Sequence, residues 1–134
     1  MRKQVVYRYD CDAGDLNKQG YIILLGDPVP AGTIITNAVL IVDREPLSKG
    51  PRPRCSTIML SVERPGDLLP ECSISRPPWY IYSGERRCIE IGQDNLPIES
   101  TGRNLSVLIG GADLLTGAFR VLLEYIELEE GGKK

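Results

Sequence analysis

The sequence contains no histidine. That removes the commonest general base near neutral pH and every Ser-His or Cys-His nucleophile arrangement, so most hydrolase templates fail at once. No phosphate-cradling GxxxxGK loop is present, and Gly110-Gly111 follows a strand signal without opening a helix, so a nucleotide fingerprint is unsupported. No apolar run approaches the roughly 18 residues of a membrane span. The start, Met1-Arg2-Lys3-Gln4 and then Val5 to Asp10, lacks the continuous apolar stretch of an export signal. Neither a membrane partner nor export by a standard signal is expected. An excess of one charge is missing too: 16 basic residues against 18 acidic ones leave a net charge of -2, which gives no overall field for nucleic acid. Any basic site must be local.

The four cysteines, Cys11, Cys55, Cys72 and Cys88, form no CxxC pair, and without histidine a zinc site would need all four thiolates or help from carboxylates. They read as small, buried or half-buried thiols made in a reducing cytosol, with one disulfide formed after release as the alternative. Two carboxylates suffice for a glycosidase, but nothing singles out a pair among the 18 acidic residues, and so small a domain leaves little room for a cleft. No enzyme, metal or cofactor is expected.

What is present is strand signal at short intervals. Period-2 or wholly apolar runs occupy Val5 to Tyr9, Tyr21 to Leu25, Thr33 to Val42, Ser56 to Val62, Trp79 to Tyr82, Cys88 to Ile91, Leu105 to Ile109 and Phe119 to Leu128. Fourteen glycines and ten prolines punctuate the chain too densely for long helices. In the last run Phe119, Val121, Leu123 and Tyr125 share one side, and Arg120 and Glu124 take the other, with Leu122 as the exception. A helix over 119–130 competes, since Leu and Glu are good helix formers, but β-branched and aromatic residues alternate and no N-cap box precedes them. About eight strands without βαβ alternation predict an all-β fold, an antiparallel β-sandwich or jelly-roll-like domain. One domain spans 1–134, with residues 1–20 as an extended arm and first strand and 131–134 as a frayed tail.

Two segments read as candidate binding sites. Lys49, Arg52 and Arg54, with Arg44 nearby, form a basic stretch held semi-extended by Pro51 and Pro53 inside a predicted 44–54 loop. It is either a solvated loop or a clamp in which arginine forks pair with carboxylates on an acidic protein surface. No aromatic residues are interleaved for base stacking, so nucleic acid is not the expected partner. The second is Ser75-Arg76-Pro77-Pro78-Trp79-Tyr80-Ile81-Tyr82. Trp79 is a core residue covered by the proline pair, or with Tyr80 and Tyr82 an interface anchor or sugar platform. In a regular strand only one of Trp79 and Tyr80 faces the core. The 1–20 arm and the 44–54 loop are the natural segments for reaching a neighbour.

Four phrases in succession carry a resemblance: Pro30-Ala31-Gly32-Thr33-Ile34-Ile35, Ser56-Thr57-Ile58-Met59-Leu60-Ser61-Val62, Gly66-Asp67-Leu68-Leu69, and Leu115-Thr116-Gly117-Ala118-Phe119-Arg120-Val121-Leu122-Leu123-Glu124-Tyr125. Their order over residues 20 to 128 resembles the capsid decoration, or cement, and minor head proteins of tailed bacteriophages. The chain departs from that group in its four cysteines, its 44–54 loop and its Arg76-Pro77-Pro78-Trp79 segment, where relatives are plainer and rich in Ala, Gly and Thr. The resemblance implies a β-sandwich made in the host cytoplasm that associates, commonly as a homotrimer, on the outer face of the shell. There it would bind the major capsid protein, bridge neighbouring subunits and stabilise the capsid, without catalytic residues. The partner-binding residues expected are Arg44, Lys49, Arg52, Arg54, Arg76, Trp79 and Tyr80. A carbohydrate- or receptor-binding module of a head or tail fibre is the first rival reading, and a small cytosolic enzyme on a jelly-roll scaffold the second.

Overall fold

Alternation of apolar and polar side chains turns most of the chain into strands that bury one face, and the computed structural model describes how they pack for residues 2–12, 17–80 and 88–127. Nine strands occur among them: β1 (Arg2–Asp10), β2 (Ile22–Leu25), β3 (Thr33–Ser48), β4 (Thr57–Ser61), β5 (Leu69–Ser73), β6 (Cys88–Glu90), β7 (Ile98–Glu99), β8 (Leu105–Gly110) and β9 (Leu114–Glu127). One sheet runs β1-β9-β3-β6, with β7 sharing the far edge of β3, and the other runs β2-β8-β4-β5. Every pairing is antiparallel. With the two-residue β7 set aside, the order 1-9-3-6 over 2-8-4-5 is a jelly roll, two interlocked Greek keys closed into a sandwich.

The inward sides meet in one core. Tyr7 and Tyr9 of β1, Ile35, Ala38, Leu40 and Val42 of β3, and Phe119, Val121, Leu123 and Tyr125 of β9 face Ile23, Leu25, Ile58, Leu60, Leu105, Val107 and Ile109 from the other sheet. Each fully buried Leu or Ile contributes about 1.5–3 kcal/mol relative to leaving it exposed. A bulge between Ile35 and Asn37 changes the parity of β3, so inward positions pass from Thr33 and Ile35 to Ala38, Leu40 and Val42. Leu122, the exception in the β9 alternation, lies in an outer cross-strand row with Val6 and Val39, a hydrophobic strip on the first sheet.

Several expectations are corrected. Residues 2–10 are extended, but they do not form a free arm: the whole of β1 is paired along β9. Residues 17–20 are likewise tied down, since Gly20 N–H donates to the Ile109 carbonyl and Asn17 exchanges hydrogen bonds with Leu114. The predicted 44–54 loop is shorter, because β3 continues to Ser48 and Pro46 sits at an irregularity in its pairing with β9, where a missing N–H is tolerated. Trp79 and Tyr80 lie in a turn rather than a strand, while 81 and 82 fall outside the described residues. Also outside them are Leu128 and the 131–134 tail. Strands β5 and β7 have no counterpart in the sequence reading; the first is a largely solvated edge and the second only two residues long.

Candidate assembly surface

The two candidate segments come together at one end of the sandwich. β4 and β5 pair with Thr57 opposite Ser73, so the loop entering β4 and the turn leaving β5 lie side by side, joined by Ile74 N–H donating to the Ser56 carbonyl. Ser48 roots the loop: its hydroxyl accepts the N–H groups of Cys55 and Ser56 and lies 2.6 Å from the Ser56 hydroxyl, which in turn donates to the Ala112 carbonyl. Arg54 crosses to the turn, its guanidinium 4.6 Å from the centre of the Tyr80 ring and 2.8 Å from Glu45. A carboxylate and an aromatic face from its own chain therefore already hold this arginine.

Arg44 stands apart from that group. Its guanidinium spans Asp10 at 2.8 Å and Asp12 at 3.0 Å, and its Nε donates to the Thr116 hydroxyl at 2.8 Å. The Asp12 backbone N–H and then the Arg44 hydrogen bond hold the Asp10 carboxyl below the usual range, and Asp10 in turn raises Arg44. The Asp10, Cys11 and Asp12 donor atoms lie within 4.8 Å of one another, a spacing that would suit a cation, but Arg44 already supplies the positive charge there. Burial pushes the Cys11 thiol up, away from thiolate character.

Trp79 is 1% exposed, so it is a core residue and not a platform. Its ring packs at 5.0 Å against Phe119, which stacks on Tyr9 at 4.8 Å. This burial takes the central ring away from the glycan-binding reading, and its third ring, Tyr82, falls outside the described residues. Lys49, Arg52 and Arg76 remain: all three are exposed and none forms an ion pair with a described residue. Of the seven expected binding residues, these three are the exposed cations without an ion pair among the described residues, while Arg54 and Tyr80 are engaged with each other.

A second surface was missed by sequence reasoning. On the outer face of β2-β8-β4, Ile22, Leu108 and Met59 form a cross-strand row. With Leu24 and Pro65 they line a groove of about 470 Å³ rimmed by Glu63, Arg64 and Arg103. The available signal was the run Tyr21-Ile22-Ile23-Leu24-Leu25, apolar at every position where a half-buried strand should alternate.

No family model and no curated protein matches the chain. Two solved chains share its fold. One belongs to the cyanophage Pam1 capsid asymmetric unit, with 11% identity and a TM-score of 0.67 over 95% of this chain and 85% of that one. The other belongs to the acidic stable capsid structure of Helicobacter pylori bacteriophage KHP30, with 10% identity and a TM-score of 0.54 over 96% and 99%. At these identities the likeness is one of fold: two antiparallel sheets arranged as in chains of phage capsids.

Proposed function

We propose that this chain is a bacteriophage virion structural protein, a decoration or cement protein that binds the outer capsid surface and bridges neighbouring subunits without catalysis. The observation that carries the reading is the jelly-roll strand order, matched over 95% of the chain by a chain from a phage capsid structure. The phrase order in the sequence supports the same reading independently. Lys49 and Arg52, on the loop whose root is fixed by Ser48 and Ser56, and Arg76, on the neighbouring turn after β5, are the cations offered to acidic patches on the major capsid protein. A homo-oligomer with three-fold symmetry multiplies a modest contact by avidity, which a repeating shell rewards.

Co-sedimentation of the purified chain with undecorated shells, together with its mass in solution, tests the proposal. The expected result is saturable binding at a fixed ratio to capsid subunits and greater shell resistance to heat. A chain that stays in the supernatant at low salt, with shells of unchanged stability, would sink it.

A further inference from the structure

Sheet edges offer unpaired N–H and C=O groups, and natural proteins shield them with charge, proline, brevity or cover. Edge strand β1 carries Arg2, Lys3, Arg8 and Asp10. β5 carries Pro70 and Glu71, and the short β6 and β7 carry Glu90 and Glu99. β2 differs from all of them. From Gly20 to Gly26 the chain contains neither charge nor proline, and Tyr21, Ile22 and Leu24 are 68%, 69% and 62% exposed. Three of the five most exposed large apolar side chains among the described residues thus cluster on one edge that no described strand pairs, continuous with the Ile22-Leu108-Met59 row and its groove. An apolar patch of this kind marks an interaction site.

We propose that β2 pairs antiparallel with β2 of a second copy across a two-fold axis, joining two four-stranded sheets into one of eight strands. The occupant is argued from self-complementarity. Ile22 and Leu24 share the outer face while Ile23 and Leu25 face the core. Antiparallel pairing in one continuous sheet keeps outer residues opposite outer residues, so the register that overlaps all of 21–25 sets Ile22 against Leu24 of the other copy, twice, with Ile23 at the axis. In that register Asp27 of one copy falls opposite Gln19 of the other, so Lys18 lies one position from Asp27 at each end. Lys18 before the strand and Asp27 after it are both exposed and without an ion pair among the described residues. Pairing brings Lys18 of each copy beside Asp27 of the other, whereas a strand from an unrelated protein would carry no such double match. The inference goes beyond the virion reading and does not rest on it. A two-fold contact through β2 and a three-fold contact through other surfaces combine in dihedral and icosahedral assemblies.

The test is the mass of the full chain in solution at micromolar concentration, with amide hydrogen exchange over 21–25. Wild type is expected as a dimer or an even multiple with slow exchange in β2. Leu24→Lys is expected to halve the mass, weaken self-association at least tenfold and speed exchange in β2. Position 24 is 62% exposed, so the far-UV spectrum and melting temperature of the monomer should hold, which separates lost pairing from lost folding. Lys18→Asp alone should weaken the dimer, and Lys18→Asp combined with Asp27→Lys should restore it. A monomeric wild type, an odd-numbered oligomer, or a Leu24→Lys variant of unchanged mass would overturn the proposal. So would protection of β2 that appears only when a different protein is added.

Discussion

Arg44 pins three strands at one corner, since Asp10 ends β1, Arg44 lies on β3 and Thr116 on β9. The ionised form of Asp10 is the one the folded chain favours, because its carboxyl titrates below the ordinary value of 3.8. A carboxyl depressed in the folded state contributes stability that is complete above its unfolded value and is lost as pH falls through the folded one. Asp10→Asn is therefore expected to be less stable than wild type at pH 7, with the gap closing on acidification below about pH 3.8. Urea unfolding of both proteins at pH 7 and pH 2 checks this; a gap of equal size at both would show that the ion pair is not its source. Tyr9 illustrates the opposite sign. Burial raises its hydroxyl well above the ordinary value, so it favours the fold while neutral and opposes it in strong alkali.

At the scale of elements, the turn between β8 and β9 depends on one glycine. Gly111 has φ +82°, and a Cβ there would stand 2.5 Å from the Cys55 carbonyl oxygen, at the root of the basic loop. Gly111→Ala is expected to cost more than about 1 kcal/mol in denaturant unfolding, since both the left-handed backbone and the close approach oppose a side chain. The strands readable in the sequence are those with one wet face and one dry face. Phe119, Val121, Leu123 and Tyr125 alternate in β9, and the structure turns all four inward. β5 carries no such period because both of its faces are partly wet at the sheet edge. The candidate site was half readable. Composition marks Arg44 and Arg54 as cations, but their partners lie 34 residues away at Asp10 and nine away at Glu45, and only register and the loop path bring them together. Trp79 needed the same long-range information, because its burial comes from Phe119 on a strand forty residues later in the chain.

Over the whole molecule, a net charge of -2 conceals three exposed cations at one end, Lys49, Arg52 and Arg76, that form no ion pair among the described residues. Exposed pairs are worth about 0.2–1 kcal/mol each, so replacing Lys49, Arg52 and Arg76 together by Glu is expected to weaken shell binding by up to about a hundredfold per copy. Binding isotherms at low and high salt check it: wild-type affinity should fall with salt, and the triple variant should lose that dependence while keeping its melting temperature. The strand order also dictates a timetable. β9 is the central strand that joins β1 to β3, yet it is translated after both of them. On the ribosome the first sheet has its flanks but not its middle, so its large apolar faces and open ladders wait for residues 114–127 to emerge. Folding of this sheet is thus an all-at-once event that closes contacts more than a hundred residues apart in sequence, and it leaves the nascent protein dependent on protection until β9 is made.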